Sequence, residues 1–97
     1  MLSQRRIYFI AVNYNNSEYS IKYIESVNRL ITSDNSIKII IVDNNSEIED
    51  YSRLMNAVKN MNNLKLIRNE KNVGYFVGLN IGIRYAAVDK NSLCVIG

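Results

Sequence analysis

Apolar residues fall along this chain in two alternating patterns. Short, mostly apolar runs occupy residues 7–12, 37–42, 64–68 and 93–96. Runs of that length, rich in Ile and Val, fit strands covered on both faces. Between them apolar positions recur at helical spacing. After Ser17 they are Tyr23, Ile24, Val27, Leu30 and Ile31; next come Ile48, Tyr51, Leu54, Met55 and Val58; then Phe76, Leu79, Ile83 and Ala86. Polar stretches at 13–16, 33–36 and 60–63 punctuate the series. Ser46 and Glu49 have capping-box spacing, which predicts a second helix starting at Glu47.

Strands alternating with helices over short connections predict parallel pairing and right-handed crossovers. The expected fold is a layered α/β/α, Rossmann-like parallel sheet with strand order 3-2-1-4. In such sheets ligands bind beyond the carboxyl ends of the strands. The segments after Val12, Val42 and Arg68 all reach that edge. Residues distant in sequence are therefore expected to meet there, with Asn13, Asp43 and Asn72 on one side of the sheet.

Composition narrows the classes. The chain has 97 residues, 47% hydrophobic and 22% charged, which makes one small domain or part of a larger one. It can bury roughly 60–65% of its unfolded surface. No apolar run approaches the ~20 residues needed to span a bilayer. Residues 1–6 are basic, but the apolar run behind them is too short for a secretory leader. The location expected is cytoplasmic, or at most the inner membrane surface. The net charge of +3 is mild, and the cations are scattered through the sequence. No aromatic–basic interleaving marks a nucleic-acid platform, so no nucleic-acid partner is expected. With no histidine, His-based catalysis and His–metal sites within this chain are excluded. Cys94 is the lone cysteine and is expected to be a buried, inert thiol in the fourth strand.

The candidate chemistry sits in the polar breaks. Asp43 ends an apolar strand, where a carboxylate can accept hydrogen bonds from a base N–H or from ribose hydroxyls. It can equally cap the next helix. Since Asn44, Asn45 and Ser46 already supply capping groups, ligand contact is the favoured reading. Asn13, Tyr14 and Asn15 could border the same ligand or form an ordinary polar loop. Gly74, Gly78 and Gly82 recur every four residues, followed by Ala86. On a helix that is one stripe of small residues. Each glycine inside a helix costs roughly 0.8–1 kcal/mol relative to alanine, so close packing or ligand approach is the expected return. Gly74 precedes the helix, where φ > 0 or backbone exposed to a phosphate is expected. Asn80 is read as inward-facing, either bridging to a loop backbone or touching ligand. Asn72 braces the loop or touches ligand.

Three segments resemble family 2 glycosyltransferases of the GT-A type: Val12-Asn13-Tyr14-Asn15, Ile41-Val42-Asp43-Asn44-Asn45-Ser46, and residues 72–82, Asn72-Val73-Gly74 through Asn80-Ile81-Gly82. Asn72, Gly74 and Asn80 together are most similar to rhamnosyltransferase-like bacterial enzymes that build surface polysaccharides. The resemblance implies a nucleotide-diphosphate-sugar donor and a glycan or lipid-linked acceptor. Asp43 would bind the base, Asn13, Tyr14, Asn15 and Asn45 would line its pocket, and Asn72, Gly74 and Asn80 would shape the floor. The family holds a divalent metal, Mg or Mn, on an Asp-x-Asp-like motif after the fourth strand, and inverting members use an acidic base. Neither motif occurs before Gly97, and Asp89 precedes the strand. The expectation is a truncated donor-binding portion that binds nucleotide, holds no metal and transfers no sugar alone. The resemblance covers nearly the whole chain. The alternatives are a receiver-like signalling domain, suggested by Asp43 at a strand end, and a non-catalytic nucleotide-binding or assembly module. An open edge on the fourth strand leads us to expect self-association, most simply a homodimer.

Overall fold

A computed structural model describes residues 5–30 and 36–97. Strand and helix alternate throughout: β1 (Arg6–Asn13), α1 (Ser17–Leu30), β2 (Ile37–Asp43), α2 (Ile48–Val58), β3 (Leu64–Arg68), α3 (Tyr75–Ala87) and β4 (Ser92–Ile96). The strands form one parallel sheet in the order β3-β2-β1-β4, as the alternation predicts. Residue 31 and most of the expected break at 33–36 lie outside the described residues.

β2 is the core strand, and both of its faces are apolar. Ile39 and Ile41 pack with Ala11, Ile24, Val27, Leu54 and Val58 beneath α1 and α2. Ile40 and Val42 pack with Ile10, Leu79 and Ala86 beneath α3. Side chains alternate between faces along a strand, so one uninterrupted apolar run feeds two separate cores. The glycine stripe seats α3. A Cβ at Gly82 would stand 2.6 Å from Ile10 Cγ2 and 3.2 Å from Val42 Cγ2, so only glycine permits this helix-to-sheet distance.

Packing corrects several expectations. The helical stripe predicted for α2 is rotated: Ile48 is 64% exposed and Met55 45% exposed, whereas Asp50 lies buried beside Leu54 and Val58. α2 starts at Ile48 rather than Glu47, and its N-cap, Glu47, makes no side-chain capping bond. The capping box does not form because the Ser46 hydroxyl is turned toward Asp43. Asn80 does not face inward. The stripe meeting the sheet is Gly78, Leu79, Gly82 and Ala86, and Asn80 is exposed. Phe76 and Leu30 are exposed too. Cys94 is not buried; the thiol is exposed on β4, together with Leu93, Val95 and Ile96. Among the described residues β4 pairs with β1 alone, which leaves its other edge open.

The topology also gathers charge that sequence order disperses. In a parallel sheet with crossover helices, strand starts and helix ends share one end of the molecule. Arg5, Arg6, Lys38 and Lys65 occupy the strand starts. Arg29, Lys59, Arg84 and Lys90 stand in or just after the last turns of the helices. Among the described residues Asp89 is the one carboxylate with them, bound to Arg6 at 2.9 Å.

Candidate functional site

Three strands end in a row. The parallel register sets Asn13 beside Asp43 and Asp43 beside Arg68, all on the α1/α2 face. Asp43 is 0% exposed, and both its oxygens are engaged. Oδ1 accepts from Asn13 Nδ2 at 2.8 Å and from Ser46 Oγ at 2.7 Å. Oδ2 accepts from the Ser46 N–H at 3.1 Å and from Arg68 Nη1 at 2.6 Å. Asn13 is likewise fully buried. Its amide nitrogen also reaches Asp50 Oδ2 at 3.0 Å, and its oxygen accepts from Ser20 Oγ at 2.6 Å. A buried carboxylate is stable only when charge and hydrogen bonds compensate the lost water, and here they do.

Asp50 extends this network to α1. Its Oδ1 accepts the Ser17 backbone N–H at 2.9 Å, so a carboxylate from α2 satisfies an otherwise free donor at the start of another helix. Burial pushes the Asp50 carboxyl up, but hydrogen bonds from Ser17 and Asn13 and the charge of Arg53 outweigh it. The net effect holds the group below its ordinary value. Arg68 closes the other flank. Its Nη2 donates to the Ser46 carbonyl at 3.0 Å and to Asn45 Oδ1 at 3.3 Å, and the guanidinium lies 4.3 Å from the Tyr51 ring centroid. A planar fork that binds and stacks at once is a task for Arg rather than Lys.

A second tie runs on the α3 side. Asn44 Nδ2 donates to the Gly74 carbonyl at 2.9 Å, and its Oδ1 accepts from Asn69 Nδ2 at 2.8 Å. Asn72 Oδ1 accepts the Gly74 N–H at 2.9 Å, so Asn72 braces its loop. Gly74 has φ +85° and nothing within 4 Å of where a Cβ would be. The loop before α3 therefore brings bare backbone to the surface at a conformation that only glycine adopts without strain.

Above these ties lies an exposed rim. Asn15 and Asn45 both adopt positive φ, 51° and 65°. Asn is among the few non-glycine residues that tolerate it. Asn15 knits its turn to α2, with Oδ1 accepting the Glu47 N–H at 2.7 Å and its own N–H donated to Ser46 Oγ at 2.8 Å. Tyr14, Tyr75 and Phe76 are exposed at the same edge, the last two in edge-to-face contact at 5.2 Å.

The expected residues thus divide. Tyr14, Asn15, Asn45, Asn72 and Gly74 line the exposed rim. Asn13 and Asp43 meet, as the topology requires, but neither is presented to solvent. Direct base contact by Asp43 would need one of its four hydrogen bonds, from Asn13, Ser46 and Arg68, to give way. Asn80 joins neither group, and the buried bridge considered for it does not occur. Sequence reasoning missed Arg68, Asp50, Ser17 and Ser20. Arg68 could have been found, because Leu64, Leu66 and Arg68 share one strand face and the 3-2 pairing sets the last of them beside Asp43. Asp50 was hidden by the capping-box reading of its helix start.

The described residues offer no cation site. No three His, Cys, Asp or Glu side chains gather closely enough. The two buried carboxylates beneath the rim, Asp43 and Asp50, spend their oxygens on Asn13, Ser46, Ser17 and the two arginines. A divalent metal does not fit that donor set.

Residues 8–96 match glycosyl transferase family 2. No curated protein sequence matches the chain. In fold the chain is similar to the mannosyltransferase PcManGT from Pyrobaculum calidifontis, whose structure is a complex with GDP-Man and Mn2+. The TM-score is 0.73 at 16% identity, over 86% of this chain. This chain spans 25% of that enzyme's. A match over nearly every residue from β1 to β4 places the chain in its family: it belongs to glycosyl transferase family 2.

Proposed function

We propose that this chain is the donor-binding portion of a glycosyltransferase, with a nucleoside diphosphate sugar held over the carboxyl ends of β1, β2 and β3. One observation carries the reading. An exposed rim of Tyr14, Asn15, Asn45, Asn72 and the Gly74 backbone is pinned from beneath, by the Asn13–Asp43–Arg68 cluster with Ser46 on one side and by Asn44 on the other. Amide side chains and open backbone offer both donors and acceptors, which suits a base and ribose; an exposed tyrosine offers a stacking face. A pre-formed site loses less entropy on binding. Asp43 and Asn13 act in this reading as positioning residues, since both are buried and bonded.

In sugar transfer the acceptor oxygen bonds to the anomeric carbon. The bond from that carbon to the diphosphate oxygen breaks with its electron pair, and the acceptor proton passes to a base. The donor portion alone binds and orients, and the donor set described above offers no metal to neutralise the leaving diphosphate. We therefore expect weak nucleotide binding and no turnover from residues 1–97. The proposal extends to a glycan or lipid-linked acceptor, from the resemblance carried by Asn72, Gly74 and Asn80, and to a cytoplasmic location.

Calorimetric titration with uridine, thymidine and guanosine diphosphates tests this. Binding should appear for at least one base, and Tyr14→Ala and Asn45→Ala should weaken it with no change in circular dichroism. Absence of binding for all three, or binding indifferent to both substitutions, would contradict the donor site. Turnover by residues 1–97 would contradict the expectation of binding without transfer.

A further inference from the structure

The end of the sheet opposite the rim has a chemistry of its own. Its cations come from every element except β4, yet they form one surface because the fold aligns strand starts with helix ends. Among the described residues few of them have acidic partners there. Arg6 is paired with Asp89, and Lys65 lies 5.7 Å from the Tyr85 ring centroid. Part of this charge answers the helix dipoles, whose negative ends point the same way. That accounts for cations at the helix ends but not for Arg5, Arg6, Lys38 and Lys65 at the strand starts.

Two further features share this end. A groove of about 560 Å3 lies between Arg6, Tyr8, Tyr85, Val88, Asp89 and Lys90. A neighbouring hollow of about 260 Å3 shares Tyr8 and Tyr85 and adds Lys38 and Lys65. Large apolar side chains also project from the helix ends: Val88 is 84% exposed, and Leu30 and Tyr85 are exposed as well. They stand among the cations rather than in a patch of their own.

From this combination we propose that the amino end of the sheet is a docking surface for an anionic phospholipid bilayer. Phosphate-bearing headgroups would sit against Lys38, Lys65 and Lys90 at the paired hollows. Val88, Leu30 and Tyr85 would enter the headgroup layer. The charge complementarity fits any polyanion. The apolar side chains on the helix ends favour a bilayer, because they gain nothing from a solvated nucleic acid or a free phosphate. Docked this way, the chain keeps its opposite, rim-bearing end toward water. The inference does not depend on the donor reading, and its test contains no nucleotide.

The experiment is cosedimentation of the chain with vesicles of phosphatidylglycerol and phosphatidylcholine, against vesicles of phosphatidylcholine alone. Binding should require the anionic lipid and fall steeply as salt rises. Lys65→Glu with Lys90→Glu should weaken it by about tenfold or more. Val88→Asp should weaken it further at fixed salt. Lys22→Glu, in the half of α1 away from this surface, should leave it unchanged, and circular dichroism should show all variants folded. Equal binding to neutral vesicles would overturn the proposal. So would indifference to the charge reversals, or binding of duplex DNA at charge-equivalent concentration that is as tight as vesicle binding and as sensitive to Val88→Asp.

Discussion

The two ends of this sheet use charge in opposite ways. At the carboxyl end Asp43 and Asp50 are buried, and each has several short hydrogen bonds and an arginine. At the amino end the cations stand in solvent, and the ion pair among the described residues there, Arg6–Asp89, involves an arginine that is more than half exposed. A charge sealed from water must be compensated by its neighbours, so its partners are part of the fold. A charge left in water costs the fold little and stays available to something outside. Burial, rather than residue type, separates the structural end from the surface open to a partner.

That contrast can be broken by experiment. The largest effect should come from Asp43→Ala, which leaves Asn13 and Arg68 without their common acceptor. Removing one member of a buried pair costs about 3–5 kcal/mol, with the lower figure apt here because Arg68 is partly solvated. A domain of this size holds only ~5–15 kcal/mol in all, so urea denaturation should show a sharply lowered midpoint. A shift no larger than a surface mutant's would mean that the cluster is ornamental.

A smaller effect is expected with pH. The Asp50 carboxyl is held below its ordinary value of 3.8 in the folded chain, so folding favours its charged form. That contribution is complete above the ordinary value and is lost as pH falls through the folded value. Stability measured by urea titration should therefore decline below about pH 4, and Asp50→Asn should flatten that decline. An identical acid limb in the variant would remove Asp50 from the network. The smallest effect should come from Asp89→Asn at the other end. The carboxyl there is held low by its hydrogen bond with Arg6, but the pair is open to solvent. At physiological salt the denaturation midpoint should not move measurably. A clear loss would show that the amino end is structurally committed as well.

Much of this was legible in the chain. The alternation of apolar runs and helical stripes is enough to specify the parallel order and the meeting of Asn13 with Asp43. Helix phase was less legible. Residues two apart on a helix point about 200° from each other, so Asn80 could not face the sheet together with Gly78 and Gly82. The glycine stripe already contained that answer, because its close approach to Ile10 decides which face is inward. In α2 a buried carboxylate displaces the apolar stripe, and hydrophobicity alone cannot foresee a polar residue satisfied by distant partners. The exposure of Cys94 has a similar cause: whether a sheet's outer strand is covered depends on neighbours that local pattern does not describe. The amino-end charge was invisible for another reason. Cations far apart in sequence form a surface only once the topology is known.

The Asn13–Asp43 pair has one further consequence. β2 reads Ile39-Ile40-Ile41-Val42, oily on both sides, so sliding it by one residue against β1 would still bury hydrocarbon on each face. Hydrophobicity therefore discriminates weakly between the native alignment and its nearest misaligned neighbours. The polar pair does not tolerate the slip. A shift of one residue would send the carboxylate to the α3 side, away from Asn13, Asp50 and Arg68, and strand it without partners in a dry interior. The cluster works as an alignment key, letting an almost featureless run of isoleucine settle in a single position.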